Sequence, residues 1–273
     1  MFTDVSVDKY KVLPAGEVQL GGEGAADKAI FDGGKKAGLA EMGVLLEEIK
    51  ELQKVLYAEH KQRILVVVQA MDTGGKDGCV KDVFASCDPQ GIHIEPFKSP
   101  TTLELAHDFL WRVHAKVPKN GHIVVFNRSH YEDIIAVRVK KLMEDAVWQR
   151  RYQHVIDFEK MLAEEGTTII KIFLNISKDE QKERLQARLD NPAKHWKFNP
   201  DDLADRARWG DFMHAYEDLI EKTSTELAPW YVVPADRKWY RNIVVARIVI
   251  ERLKQLNMQY PRIDWKVEDV TID

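Results

Sequence analysis

A glycine-rich stretch, AMDTGGKDG from Ala70 to Gly78, has the residue types that hold a phosphate group. Gly74, Gly75 and Gly78 let backbone N–H groups come close to an anion, because no Cβ blocks the approach. A helix that begins near Lys76 adds the positive end of its dipole, and the Lys76 ammonium adds a point charge. The stretch therefore predicts a phosphate-binding loop, and with it the transfer of phosphoryl groups.

The loop departs from the common pattern G-x-x-x-x-G-K-[ST] at two positions. Ala70 stands at the first glycine and Asp77 at the Ser/Thr, so the hydroxyl that ordinarily binds Mg²⁺ is missing. Asp72 supplies a carboxylate inside the loop, and it would repel phosphate unless a cation lay between them. We therefore expect Asp72 to bind Mg²⁺, with Mn²⁺ able to substitute. The alternative is a turn in which Asp72 and Thr73 serve only the local geometry.

A second polar stretch, NRSHYED from Asn127 to Asp133, follows another apolar run. The planar guanidinium of Arg128 is suited to gripping a phosphate. Glu132 and Asp133 are paired acids that could hold metal-bound water or a nucleotide. The alternative is a helix N-terminus, in which Ser129 is the cap and Glu132 completes a capping box.

Short apolar runs place both polar stretches at the ends of buried strands. RILVVVQ (63–69) and HIVVFN (122–127) have the continuous β-branched character of strands covered on both faces. Further strands are predicted at 92–97, 167–176 and 230–235, and helices at 36–60, 76–86, 101–114, 147–165 and 239–257. This alternation predicts an α/β fold with a parallel sheet, in which ligands bind at the carboxyl ends of the strands.

The chain is expected to divide into two parts. Residues 1–60 would form an N-terminal arm and an amphipathic helix, since residues 1 to about 36 are polar and Gly-rich. Residues 61–273 would form the phosphotransferase domain, with a helical lid at about 178–210. The lid segment is highly charged and is interrupted by prolines, so we expect two helices that flank a turn near Pro192 to Pro200.

The lid carries a local excess of positive charge. Between residues 184 and 197 the only acid is Asp190, whereas the cations are Arg184, Arg188, Lys194 and Lys197. These cations are expected to contact a polyanion, and Lys81 and Lys98 would extend its path. The alternative is a solvated helix face with i,i+4 charge pairs. Trp196 is expected to anchor the lid by hydrophobic contact.

Composition narrows the class of protein. The 273 residues carry a net charge of -4, which argues against general nucleic-acid binding. The two cysteines, Cys79 and Cys87, would lie about 12 Å apart along one helix, too far for a disulfide. Reduced thiols, with neither a signal peptide nor an apolar run of about 20 residues, predict a cytoplasmic protein that does not enter a membrane.

Four segments in order resemble the polyphosphate kinase 2 family, the polyphosphate:nucleotide phosphotransferases. They are AMDTGGKDG, NRSHYED, RLDNPAKHWKF and STELAPWYVVPADRKWYRN, within about residues 60 to 245. The resemblance implies a three-layer P-loop kinase-like core, similar to thymidylate kinase, with a helical lid. NRSHYED is similar to the form in the family's third class, whose members are associated with AMP and ADP as acceptors. The family's members also tend to associate, which implies a homo-oligomer.

The resemblance carries roles onto single positions. Asp72 and Lys76 match the family's Walker A acid and lysine, Arg128 its Walker B arginine, and Arg188 a lid arginine that contacts phosphate. The family's Walker B motif commonly begins with Asp where this chain has Asn127, which supplies no charge and shifts a metal-ligand role towards Glu132 or Asp133. The remaining expected phosphate or nucleotide contacts are Thr73, Gly74, Gly75, Asp77 and Gly78.

Together these features predict a reversible transfer of a phosphoryl group from inorganic polyphosphate to ADP, and to AMP. Two other functions stay open at the level of sequence. One is an ATP-dependent nucleoside monophosphate kinase, which the loop and the lid arginines would also serve. The other is a non-catalytic nucleotide- or polyphosphate-binding module, for which Asn127 is the sole support.

Overall fold

Six strands form one sheet in the computed structural model, which describes residues 1–266 and 269–272. In chain order they are β1 (Lys11–Val12), β2 (Arg63–Gln69), β3 (Ile92–Pro96), β4 (Ile123–Asn127), β5 (Thr167–Asn175) and β6 (Trp230–Pro234). Their order across the sheet is β1-β6-β5-β2-β4-β3, and only β1 runs antiparallel to its neighbour. The predicted parallel sheet is therefore confirmed.

The centre of the sheet brings the two polar stretches together. β2 is almost wholly buried and lies between β4 and β5, with Val68 opposite Asn127. The chain leaves β2 towards β3 and β4 on one side, and later crosses to β5 on the other. This reversal is a topological switch point, where parallel α/β sheets leave a crevice at their carboxyl ends. The loop after β2 and the segment after β4 both begin at that crevice.

Helices cover both faces of the sheet. They are α1 (Lys35–Glu59), α2 (Lys76–Val83), α3 (Thr102–Leu105), α4 (Trp111–His114), α5 (Glu132–Val139), α6 (Asp145–Glu164), α7 (Lys178–Leu189), α8 (Asp201–Ala207), α9 (Trp209–Thr223) and α10 (Lys238–Lys254). One apolar core joins the sheet to α1, α2 and α10, and a second joins its other face to α5, α6 and α9. The result is the expected three-layer, P-loop kinase-like arrangement. None of the helices in the described part of the chain is long and apolar enough to cross a membrane.

One predicted helix is wrong as a continuous element. The segment 101–114 forms two short helices, α3 and α4, separated by a turn. A capping box between Thr101 and Glu104 starts α3, and the Asp108 side chain then accepts from Leu110 N at 3.0 Å. This side chain offers the backbone a local alternative to helical bonding, which breaks the helix.

The N-terminal arm is more closely integrated than its polar composition predicts. β1 extends the sheet beyond β6, and Ile30 and Phe31 are buried in the same core as α1 and α10. The Tyr10 hydroxyl lies 2.7 Å from the Tyr240 hydroxyl, which ties the arm to α10. The sequence does not reveal these contacts because the buried arm residues follow no helix or strand period. The division at residue 60 stays a prediction.

The lid segment has the predicted helix–turn–helix form. α7 and α8 flank a short 3-10 helix at Pro192–Lys197. The expectation that Trp196 anchors this segment is wrong, because its side chain is 78% exposed. Trp196 lies on the outside of the turn, where its ring contacts Lys197 Nζ at 4.8 Å from the ring centroid.

Candidate active site

The glycine-rich loop has a backbone that glycine permits and that side chains elsewhere hold in place. Thr73 and Gly75 have left-handed backbone angles, with φ of 65° and 95°. At Gly75 a Cβ would collide with the Arg241 guanidinium. Gly74 N donates to Met71 O at 2.9 Å, which closes the turn before α2 begins at Lys76. The loop therefore meets the N-terminus of a helix, as its sequence predicts.

Asp72, Lys76 and Arg128 meet at the mouth of the loop. Arg128 Nη2 donates to Asp72 Oδ1 at 2.6 Å, so the carboxylate proposed for a metal lies beside the guanidinium proposed for a phosphate. Lys76 Nζ donates to Ala70 O at 2.9 Å and to Met71 O at 3.3 Å. Burial, followed by the nearby Arg128 guanidinium, lowers the pKa of Lys76. An anion beside this ammonium would offset both effects.

The Asn127 side chain forms a hydrogen bond to the beginning of α2, next to the phosphate loop. Its Nδ2 donates to Asp77 Oδ1 at 2.8 Å, which links the end of β4 to the first turn of α2. Asp77 and Asn127, both predicted as ligand contacts, therefore bind each other across the crevice. Asn127 can donate to this carboxylate because it carries an amide, whereas an aspartate here would repel it.

The capping-box alternative for Ser129 and Glu132 is wrong. Ser129 Oγ accepts from Tyr131 N at 3.2 Å, while α5 begins only at Glu132. The Glu132 carboxylate instead faces the buried Gln69 amide, whose nitrogen donates to it at 2.9 Å while the amide oxygen accepts from Ser129 Oγ. Glu132 is thus turned into the crevice, as a functional role requires.

Burial is the dominant effect on Glu132, and it raises the pKa of this carboxyl above its ordinary value of 4.5. The folded chain therefore holds the proton more tightly than the unfolded chain, and ionisation of Glu132 costs stability as the pH rises through the folded pKa. We expect Glu132→Gln and the wild type to have the same Tm at about pH 4, and the variant to have the higher Tm at about pH 8. Thermal unfolding at the two pH values tests this, and an equal Tm at both would contradict it.

A cleft of about 660 Å³ opens on one side of the loop. Three arginines line it, namely Arg112, Arg128 and Arg151, together with aromatic rings that include Phe97 and Phe109. Arg112 Nη2 binds Asp133 Oδ2 at 3.2 Å, and Arg151 Nη1 donates to Asp133 O at 2.6 Å. Asp133 therefore orients two cations towards the cleft. The sequence missed Arg112 and Arg151 because neither belongs to a motif.

A second pocket of about 350 Å³, here called the basic basin, lies on the other side of the loop. It is lined by Thr73 and Gly75 of the loop, by Glu180, Glu183 and Ala187 of α7, and by the cations Arg184, Arg188, Lys194, Lys197 and Lys238. Lys81 is exposed on α2 and Lys98 lines the cleft, so both lie outside this set. Lys238 was not predicted, although it lies in the DRKWYRN segment.

The two lid arginines have different surroundings. Arg188 Nη1 donates to Lys197 O at 3.1 Å and to Asp202 Oδ2 at 3.3 Å, and its other nitrogens stay available to a ligand in the basin. Arg184 bonds through all three nitrogens to protein oxygens, on Glu180, the loop and the turn between β6 and α10. The donors of Arg184 are therefore bonded to protein oxygens although the residue lines the basin, and its contact with polyphosphate stays a prediction.

Asp72 suits a metal held mainly by substrate. Among residues 1–266 and 269–272 there is no group of three or more His, Cys, Asp or Glu arranged for a metal ion. Mg²⁺ is commonly held by one or two carboxylates with substrate phosphates and water, so a lone carboxylate in a phosphate loop fits it. Asp72 lines the cleft next to Asp202, which supplies a second carboxylate nearby.

The phosphate loop lies between the cleft and the basic basin, so a phosphoryl group bound at the loop can be reached from both pockets. This fold and site define a phosphotransferase of the P-loop kinase-like class. The chain belongs to the polyphosphate kinase 2 family, whose model matches residues 34–261.

Relatives agree with this assignment. The chain is 52% identical to an AMP/ADP-polyphosphate phosphotransferase of Meiothermus ruber over 97% of this chain and 99% of that protein. It is 42% identical to an ADP-polyphosphate phosphotransferase of Rhodopseudomonas palustris, over 79% of each chain. The crystal structure of polyphosphate kinase 2 from Arthrobacter aurescens TC1 is similar with a TM-score of 0.88 and 45% identity, over 94% of each chain.

Proposed function

We propose that this chain transfers the terminal phosphoryl group of inorganic polyphosphate to ADP, and to AMP, and that it also runs in reverse. The donor chain occupies the basic basin and the acceptor nucleotide occupies the cleft. The phosphate loop lies between them, with Asp72 and Arg128 on the cleft side and Thr73 and Gly75 on the basin side. The names of the relatives support both acceptors.

The basin carries the proposal, because its lining suits a donor that has no base. Its ten lining residues in the described part of the chain include five cations, two acids and no aromatic side chain. An ATP donor would need an apolar or aromatic surface for its adenine, since nucleotide sites bind bases largely by such contacts. A linear polyphosphate needs only cations and N–H donors along its length.

The cleft has the mixed character that an acceptor nucleotide requires. Arg112, Arg128 and Arg151 can contact its phosphates, and Phe97 and Phe109 supply apolar surface. Carboxylates that include Asp72 and Asp202 also line the cleft, and a divalent cation bound with the nucleotide would offset their charge. Arg151 lies over the Phe109 ring at 4.6 Å from its centroid, which fixes both side chains. Its volume, about 660 Å³, is within the range of small-molecule sites.

The chemistry needs positioning more than it needs a base. The attacking oxygen belongs to the acceptor's terminal phosphate, which is already largely anionic near neutral pH because its second pKa is about 6. The main barrier is repulsion between two polyanions. Lys76 and Arg128 offset the charge on the transferring group, and Arg188 approaches it from the lid. A divalent cation at Asp72, Mg²⁺ or Mn²⁺, would supply further charge neutralisation when bound.

One experiment separates the three functions. Purified protein is supplied with polyphosphate, Mg²⁺ and either ADP or AMP, and in parallel with ATP and AMP without polyphosphate. We expect ATP from ADP and ADP from AMP only where polyphosphate is present. Robust ADP formation from ATP plus AMP would instead indicate a nucleoside monophosphate kinase. Polyphosphate binding without turnover, with either metal, would indicate a non-catalytic module.

Further proposals concern assembly and lid movement. We propose a homo-oligomer, in keeping with the resemblance to a family whose members associate, and a cytoplasmic location, in keeping with the two free cysteines. We also propose that the segment 178–210 closes over the donor, because α7 and the 3-10 helix line the basic basin. Light scattering with and without polyphosphate tests the assembly.

A further inference from the structure

Two buried arginines bind backbone carbonyls of the phosphate loop. Arg184 Nη1 donates to Gly74 O at 2.9 Å, and Arg241 Nη1 donates to Gly75 O at 3.1 Å. In a planar trans peptide the C=O and N–H point in opposite directions. Because these two carbonyls face the arginines, the N–H groups of Gly75 and Lys76 point away from the arginines. Arg184 therefore helps to fix the direction of the Gly75 N–H, and Arg241 fixes that of the Lys76 N–H together with Cys79 N, which also donates to Gly75 O at 2.9 Å.

The two arginines differ in how their charge is balanced. Arg184 Nε forms an ion pair with Glu180 Oε1 at 2.6 Å. Arg241 instead donates Nε and Nη2 to the neutral Asn242 Oδ1, at 3.0 and 2.7 Å. Within residues 1–266 and 269–272 it forms no ion pair with a carboxylate, although it is only 1% exposed. A full positive charge therefore remains directly behind the loop, where little water screens it.

A neighbouring carboxylate holds this arrangement and offsets the Arg241 charge only in part. Asn242 Nδ2 donates to Asp82 Oδ2 at 2.9 Å, so Asp82 fixes the amide that in turn fixes the guanidinium. Asp82 is exposed on α2, where water screens its charge, and it lies one hydrogen-bonded residue away from Arg241. An aspartate at position 242 would have paired with the arginine and cancelled its field.

We propose that Arg241 is a positioning residue for the polyphosphate donor, and that Asn242 and Asp82 keep it in place as an uncompensated cation. It acts through the loop, by helping to orient the N–H group of Lys76 and by attracting the anion that the loop binds. The inference rests on the proposed function, because Gly75 also lines the basin assigned to polyphosphate. Arg241 would thus contribute to the affinity for the donor without touching the donor itself.

A charge transposition tests this. In the double variant Asp82→Asn with Asn242→Asp, the new amide at 82 donates to the new carboxylate at 242, which still accepts from Arg241. Hydrogen bonds, volume and net charge are kept, but the negative charge moves next to the guanidinium. We expect the KM for polyphosphate to rise about tenfold, with kcat and the KM for ADP within about twofold of wild type. An unchanged polyphosphate KM in a variant that keeps its Tm would overturn the proposal.

The single variant Asp82→Asn decides the matter if the double variant does not fold. Its amide oxygen still accepts from Asn242, and a negative charge near the loop is removed. We expect the polyphosphate KM to fall by about twofold at low ionic strength, and a KM that is unchanged or higher would overturn the proposal. Asp211→Asn is the matched control, because it removes an exposed carboxylate on α9 that pairs with Arg208 and does not contact Asn242.

Direct binding separates failure of this inference from failure of the proposed function. Calorimetry with polyphosphate alone, without nucleotide, should rank the affinities in the order that the KM values predict. Asp82→Asn should bind most tightly, the wild type less tightly, and the double variant least tightly. If wild type binds polyphosphate but does not phosphorylate ADP, the proposed function is wrong while the binding series still tests Arg241. If all variants bind equally and turn over equally, only the inference is wrong.

Discussion

Asp72→Asn is expected to lower kcat for ATP formation from ADP and polyphosphate by about 10³-fold or more. The substitution keeps the shape of the side chain and an oxygen that can accept from Arg128, which donates to Asp72 Oδ1 at 2.6 Å. It removes the negative charge, and with it the carboxylate proposed to hold the divalent cation. The measurement is kcat at saturating polyphosphate and ADP over a range of Mg²⁺ concentrations.

Two further variants make this result specific. Asp72→Glu keeps the charge with one more methylene, so we expect a partial activity and a higher Mg²⁺ requirement. Asp211 lies on α9, and its Oδ2 pairs with Arg208 Nε at 3.1 Å. Asp211→Asn removes this carboxylate and should leave kcat unchanged. A near-normal rate for Asp72→Asn at every Mg²⁺ concentration would exclude the metal role.

Arg128→Lys is expected to lower kcat by about 10²-fold while the chain stays folded. Lysine keeps the positive charge but loses the planar fork, which can bind a carboxylate and a phosphate together. Arg128 also has a left-handed backbone, with φ of 63°, which aims its side chain from the end of β4 across to the loop. The measurement is kcat together with the KM for each substrate.

The matched control for this substitution is Arg138→Lys. Arg138 lies one helix further along, on α5, and pairs with Asp218 at 2.7 Å outside the cleft. The loss for Arg128→Lys should appear in kcat rather than in KM, because the fork acts on charge that develops in the transition state. Equal kcat values for the two variants would contradict the assignment of Arg128.

The chemistry of the site could be predicted because the residues that carry it lie close together in the sequence. AMDTGGKDG follows a run that only a buried strand explains, and NRSHYED follows another, so parallel-sheet geometry alone brings Asp72 and Arg128 to one crevice. The glycines of the loop and the lysine that starts α2 are local requirements of a phosphate site. Local requirements of this kind can be recognised in the sequence without knowledge of the rest of the chain.

Other predictions from the sequence differ from the structure because a contact within the folded chain outweighed the pattern of residue types on which the prediction rested. The helix expected over 101–114 is broken at Asp108, whose side chain bonds its own backbone. The lid tryptophan, Trp196, is exposed because the turn that carries it faces away from the core. For Arg184, contact with the donor stays a prediction, and the structure adds bonds from its nitrogens to protein oxygens, among them the Gly74 carbonyl.

The sequence by itself determined the reaction class, the loop and the sheet that carries it, because strand period and loop glycines act over a few residues. Only the tertiary structure decided what surrounds the loop. Arg112 and Arg151 line the cleft, while Lys238 lines the basin and Arg241 lies behind Gly75, and each is distant in sequence from Asp72. Such residues meet because helices on both faces of the sheet end at one crevice. The spacing of residues in the sequence does not show which charged side chains of these helices face the crevice.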